Sequence, residues 1–165
     1  MALPADPELC AMEGPPWSAR MPATVLIVDD EPLIRMVAAE AFADAGFMVR
    51  EAATGEDALE ILVADRSIDA LFTDINMPGR LDGLGLAQRA RCSRPHLAVV
   101  VTSGRIPRPC GLSETIGFLA KPYSPDAAAA FMRGLVEGAR AEAKAGRGQP
   151  QRSAADGVRS PASAE

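Results

Sequence analysis

The sequence predicts an α/β fold: a doubly wound, five-stranded parallel sheet of order 2-1-3-4-5, with a shortened or irregular fourth helix. Three observations predict it. Short apolar runs alternate with amphipathic stretches from Thr24 to about Lys144, and strand–helix alternation of this kind makes a parallel sheet covered on both faces. Hydrophobic residues make up 48% of the chain and aromatic residues only 4%, so Ala, Val, Leu and Ile must build the core, as they do around buried parallel strands. The length of 165 residues suits one domain. Of the two common doubly wound orders, a five-strand chain fits 2-1-3-4-5.

The first strand is Thr24-Val25-Leu26-Ile27-Val28, an apolar run ending in acid. A helix from Leu33 to Ala45 follows, with Met36, Val37, Ala41 and Phe42 at helical spacing and Gly46 placed to end it. Phe47 to Arg50 is a short second strand, and Gly55 to Asp65 sets Ala58, Leu59, Ile61 and Leu62 on one helical face. The third strand, Ala70 to Asp74, again runs into an acid. After the Met77-Pro78-Gly79 turn, Asp82 can cap a helix from Gly83 to about Arg91. Leu97 to Thr102 and Ile116 to Ala120 are strands four and five. Ser124-Pro125-Asp126 supplies a cap, a proline at the first helical position and an acid in the first turn. That last helix runs to about Lys144 on a stripe of Phe131, Leu135 and Val136.

One link breaks the alternation. Between strands four and five, Gly104-Arg105-Ile106-Pro107-Arg108-Pro109-Cys110-Gly111 has two prolines and two glycines, which forbid a regular helix. Leu112 to Thr115 offers at most one turn. Outside the folded region, residues 1–23 read as a flexible N-terminal arm, rich in proline and carrying the one tryptophan, Trp17, as a surface contact. Met21 stands just before the first strand and offers a second translation start beside Met1. Residues 145–165, rich in Gly, Ser, Gln, Pro and Ala, read as a disordered C-terminal tail, too short to fold into an output domain.

Composition narrows the function. The net charge is −5 and no Lys/Arg-rich run occurs, which argues against direct nucleic-acid binding. Cys10, Cys92 and Cys110 lack CxxC spacing and His96 is the single histidine, which excludes a typical zinc site and fits a reducing cytoplasm. His96, after Pro95, reads as a surface residue. Neither a signal peptide nor an apolar run long enough to span a bilayer is present, so the expected location is cytoplasmic, with no membrane partner.

Ligands bind doubly wound sheets outside the carboxyl ends of the strands, where the strand order reverses, here between strands one and three. Asp29 and Asp30 end strand one and Asp74 ends strand three, so three carboxylates converge there. Two carboxylates ~5 Å apart repel by roughly 3 kcal/mol at an effective dielectric near 20, and three require a cation or a proton. An all-oxygen donor set suits a hard octahedral ion, so Mg²⁺ is the expected cofactor. Thr102 ends strand four and Lys121 follows strand five, adding a hydroxyl and a positive charge. The group could bind a phosphoryl unit and stabilise charge on its oxygens during transfer.

These residues resemble the receiver domain of bacterial two-component response regulators. The likeness runs from Thr24 to about Arg140 and rests on Val28-Asp29-Asp30-Glu31, Thr73-Asp74-Ile75-Asn76-Met77-Pro78-Gly79, Asp82-Gly83, Val101-Thr102-Ser103-Gly104 and Lys121-Pro122, in that order. The resemblance implies a CheY-like receiver domain over residues 24–144, of a stand-alone, single-domain type. It implies that Asp74 accepts a phosphoryl group from a phosphohistidine on a sensor histidine kinase or histidine phosphotransfer protein. Asp29, Asp30, Asp74 and the main-chain carbonyl of Asn76 would hold Mg²⁺, Thr102 and Lys121 would contact the phosphoryl oxygens, and the Lys121–Pro122 bond would be cis. Phe118 stands where the family commonly has its switch aromatic and reads equally well as a core residue.

Two departures stand out. Phe118 has no hydroxyl, so a switch there must work by packing, and the Pro-broken link replaces a helix of the family's usual output surface. The expected protein is a phosphoacceptor, not an enzyme in the ordinary sense, that signals by binding an output protein. A phosphorelay intermediate or phosphate sink, passing the group to a second histidine or to water, stays open beside it. A small-molecule phosphatase with an aspartyl nucleophile is the reading from another class. It fits less well, because Asp29 and Asp30 are adjacent where such enzymes place Asp-x-Asp.

Overall fold

The computed structural model describes residues 21–105 and 107–146. Trp17, with the rest of 1–20, and residues 147–165 lie outside that range, so most of the expected arm and tail do too. The elements follow in the order β1 Thr24–Val28, α1 Pro32–Asp44, β2 Met48–Ala52, α2 Gly55–Ala64, β3 Ile68–Asp74, α3 Gly83–Ser93, β4 Ala98–Ser103, β5 Ile116–Ala120 and α4 Pro125–Gly146. All pairings are parallel, and the strand order is β2-β1-β3-β4-β5. The predicted fold and topology are thus the observed ones.

Strand alternation splits the core into two layers. Leu26, Val28, Leu71, Val99 and Val101 face α2 and α3, while Val25, Ile27, Phe72 and Val100 face α1 and α4. Helix starts are fixed chemically: Pro32 opens α1, the Thr54 hydroxyl accepts from Asp57 N at 3.1 Å, and the Asp82 carboxylate accepts from Gly85 N at 2.8 Å. Gly46, at φ +89°, follows α1 in the left-handed region that glycine favours.

The helix faces differ from expectation. Ala38 and Phe42 are the buried residues of α1, whereas Met36 and Val37 are exposed. At ~100° per residue, Met36 lies about 200° round the helix from Ala38, so a stripe read on spacing was too wide. On α4 the buried line is Ala128, Ala129, Met132 and Val136, with Leu135 beside it and Phe131 at 40% exposure. Small alanines let α4 approach the sheet closely, and Phe131 lies over Gly117, where a Cβ would sit 2.8 Å from its ring.

Among the described residues no helix joins β4 to β5. Leu112 plugs the core beneath this link, and Arg108 Nη2 donates to the carbonyls of Ser113 at 3.2 Å and Ile116 at 3.3 Å. Register aligns the strand ends: Val28 pairs with Thr73, Asp74 with Thr102, and Thr102 with Leu119. Residues just past β1, β3, β4 and β5 therefore emerge together on one rim.

Candidate functional site

Each acid is brought to this rim by the apolar strand before it. Buried Val25 to Val28 carry Asp29 to 4% exposure, and Leu71 to Thr73 carry Asp74 to 7%. Asp30 is the more open of the adjacent pair. Carboxylate oxygens of Asp29, Asp30 and Asp74 lie within 4.8 Å of one another. Lys121 Nζ lies 3.2 Å from Asp29 Oδ2 and 3.3 Å from Asp74 Oδ2. One cation is thus shared by two of the three acids. Burial lowers the Lys121 pKa, but the charges of Asp29 and Asp74 outweigh it and leave the pKa above its ordinary value. The Lys121–Pro122 peptide is cis, and Lys121 N donates to the Ser103 carbonyl at 2.8 Å, fixing where the lysine leaves the sheet.

Two polar atoms of the site are buried without a hydrogen-bond partner among the described residues: Asp74 Oδ1 and Thr102 Oγ1. Orphaned buried groups cost about 1–3 kcal/mol each, and here both belong to the residues that the sequence places at the reacting centre. The donor set is all oxygen and carries three negative charges, as a hard divalent cation requires. The residues present therefore fit Mg²⁺. Asn76 is the second residue of the loop leading to α3; its side-chain Nδ2 donates to Ser103 Oγ at 3.0 Å, tying that loop to the end of β4. Ile75 N donates to the Thr102 carbonyl at 2.9 Å, and Gly83 N to the Ile75 carbonyl at 3.2 Å. Gly83 has no room for a side chain, since a Cβ would lie 1.8 Å from the Asp74 carbonyl oxygen.

The structure thus brings Asp29, Asp30, Asp74 and Lys121 together, with Thr102 paired beside Asp74 and Asn76 two residues beyond it. Phe118 stands apart: it pairs with Val101 and packs, half-buried, against the core layer under α2 and α3. Tyr123, the last residue of the Lys121-Pro122-Tyr123 run that also occurs in stand-alone receivers, and two residues that the sequence reading missed, Arg35 and Glu56, border the site. The Tyr123 ring packs edge-on against Phe72, with centroids 5.8 Å apart. Burial, with Asp29 and Asp74 adding to it against Lys121 and a weak hydrogen bond with the Thr102 side chain, pushes the Tyr123 phenol above its ordinary pKa. Arg35 donates to the Asp29 carbonyl and pairs with Glu51 at 3.3 Å. Glu56, at the start of α2, accepts from Arg80 N at 2.7 Å. The Arg80 amide, followed by Glu56's own, holds that carboxyl below its ordinary pKa. The position of Tyr123 directly after Lys121-Pro122 was legible in the sequence, while the contacts of Arg35 and Glu56 follow no local pattern.

Comparison with known proteins agrees with this geometry. The family model described as response regulator receiver domain matches residues 25–131. The chain is 33% identical over 120 residues to the sensor kinase CckA of Brucella abortus, covering 70% of this chain and 13% of that protein. It is 32% identical over 120 residues to the response regulator MprA of Mycolicibacterium vanbaalenii, covering 70% of this chain and 51% of that one. The chain thus spans at most about half the length of these relatives. Among solved structures, a response regulator receiver protein from Sinorhizobium medicae matches with TM-score 0.65 and 27% identity, over 72% of this chain and 97% of that one. The receiver domain of the hybrid histidine kinase CckA matches with TM-score 0.58 and 33% identity, over 69% and 99%. Fold, acidic rim and sequence likeness converge: this chain belongs to the response regulator receiver domain family of two-component signalling.

Proposed function

We propose that Asp74 is the phosphoacceptor of this receiver, taking its phosphoryl group from a phosphohistidine on a sensor histidine kinase or histidine phosphotransfer protein. A carboxylate oxygen of Asp74 forms the new bond to phosphorus as the phosphorus–nitrogen bond to the donor imidazole breaks, and the nitrogen keeps the electron pair. Asp29, Asp30, Asp74 and the Asn76 carbonyl hold Mg²⁺, which when bound neutralises charge on the transferring oxygens. Lys121 supplies a fixed positive charge, and the Thr102 hydroxyl donates to a phosphoryl oxygen. The observation carrying this reading is the pair of orphaned atoms, Asp74 Oδ1 and Thr102 Oγ1, beside a lysine shared by two acids.

The folded receiver extends over residues 24–144, and its output is a contact with a partner protein. Bringing Thr102 and Lys121 onto a phosphoryl group displaces the end of β4 and the start of the 104–115 link, so the message leaves through that link. Phe118, lacking a hydroxyl, responds by packing.

The test is incubation with acetyl phosphate, with and without Mg²⁺, read by intact mass. Wild type is expected to gain one phosphoryl group only with Mg²⁺, and Asp74→Asn none. Modification that persists in Asp74→Asn would show that the nucleophile is another residue. Return transfer to a histidine phosphotransfer protein would identify a relay instead of a terminal switch.

A further inference from the structure

The loop between β3 and α3 must hold the Asn76 carbonyl in place, yet its middle, Pro78 to Arg80, is exposed. Its ends are secured by Ile75 N on the Thr102 carbonyl and by Gly83 N on the Ile75 carbonyl. The middle is met by the first turn of α2. A Cβ on Gly55 would lie 2.2 Å from the Leu81 carbonyl oxygen, so the two backbones touch there. One residue on, the Glu56 carboxylate accepts from Arg80 N at 2.7 Å. It also borders Gly79, whose φ of +125° is one that L side chains rarely adopt and whose Cβ would lie 3.1 Å from Glu56 Oε2. The turn is glycine-dependent, exposed and 24 residues away in sequence from the carboxylate that braces it.

We infer that Glu56 is a positioning residue for the metal site: by accepting from the Arg80 amide it locks the 76–81 loop, and with it the backbone carbonyl of Asn76. This inference rests on the reading of the acidic rim as a divalent-cation site. Glu56 touches neither the ion nor the phosphoryl group. It replaces loop freedom by one charge-assisted hydrogen bond to a backbone amide, so the carbonyl is presented already oriented. Gln keeps an oxygen able to accept the same hydrogen bond, whereas Ala removes it.

Mn²⁺ takes the same octahedral oxygen ligands as Mg²⁺, so its binding to the full chain, read by electron paramagnetic resonance, is the measurement. Wild type and Glu56→Gln are expected to bind Mn²⁺ within about twofold of each other, because the acceptor survives. Glu56→Ala is expected to bind about tenfold more weakly, and its Arg80 amide to lose protection from hydrogen exchange. Thr54→Ala is the control, since it removes the α2 cap without touching the loop; it is expected to lower the thermal midpoint and keep wild-type affinity. Wild-type affinity in Glu56→Ala, or an equal loss in Thr54→Ala, overturns the inference. Failure of wild type to bind Mn²⁺, or binding that survives Asp30→Asn unchanged, overturns the metal-site reading instead.

Discussion

Strand β3 carries an ion-paired acid near each end, and the two are built on opposite plans. Asp69, near its start, pairs with Arg140 Nη2 at 2.9 Å and accepts from Thr24 N at 3.0 Å, with about 30% of both side chains exposed. One acid meets one cation, a backbone donor adds to it, and solvent covers the remainder. Asp74, at the other end, shares Lys121 with Asp29, is nearly buried and keeps an orphaned oxygen. A pair whose purpose is structural is satisfied; the rim cluster is left short of positive charge and of hydrogen bonds. That deficit is what a divalent cation and a phosphoryl group would fill.

The comparison breaks most visibly at Asp74. Asp74→Asn should abolish phosphoryl incorporation from acetyl phosphate. In the metal-free protein it should also raise stability by about 1–2 kcal/mol, because two repulsions from Asp29 and Asp30 outweigh one attraction to Lys121 at an effective dielectric near 20. Denaturant unfolding without Mg²⁺ reads the second effect; a loss of stability would mean the cluster is balanced after all. Lys121→Met should act the other way, costing about 2–3 kcal/mol without Mg²⁺ by leaving nearly buried acids uncompensated. Added Mg²⁺ should recover at least half of that loss.

Thr102→Val separates stability from function at one atom. The buried hydroxyl has no close hydrogen-bond partner and at most a weak one in the Tyr123 phenol, so replacing it with a methyl of the same shape should change stability by no more than about 1 kcal/mol. Beryllofluoride, a phosphoryl mimic, should nevertheless bind about 10- to 100-fold more weakly, the worth of one hydrogen bond to a charged group. Equal affinity in a titration of both proteins would show that Thr102 does not contact the phosphoryl oxygens.

How legible this was from residues alone follows from the range of each interaction. Asp29, Asp30 and Asp74 each end an apolar run, so local pattern found them, and strand order then brought them together. Lys121 and Thr102 were found in the same way, as the residues at or just past strands five and four. What escaped needs distant partners: Asn76 on Ser103, 27 residues away, and Arg80 on Glu56, 24 away. Asp69 drew no notice because an acid near the start of a strand has no meaning until Arg140, 71 residues on, reaches it. The apolar stripes of α1 and α4 were misread for the same reason: Met36, Val37 and Phe131 are apolar, but which of a helix's apolar residues face the sheet depends on how closely it packs. In the 104–115 link, the proline and glycine content was sufficient to exclude a regular helix.

Lys121 also sets an alkaline limit. Its folded pKa is raised, so the stabilisation it provides is complete below the unfolded value of about 10.4 and is lost as pH rises through the higher folded value. Wild-type stability should therefore decline above about pH 10.4 more steeply than that of Lys121→Met, which has no such group to titrate. Parallel curves would place the Lys121 ammonium outside the field of Asp29 and Asp74.

The smallest effect is the most discriminating, because it is predicted at the satisfied end of the strand. Arg140→Met removes one cation from a pair that water can reach, so Asp69 keeps the Thr24 amide and gains solvent. The cost should be only about 0.5–1 kcal/mol. It should shrink as salt rises, since exposed pairs are screened. Above all it should be indifferent to Mg²⁺, whereas the Lys121→Met deficit is relieved by it. If Mg²⁺ restored both variants equally, its action would be general salt stabilisation, and the contrast between the two ends of β3 would vanish. If it restores Lys121→Met alone, the ion acts at the rim where Asp29, Asp30 and Asp74 converge.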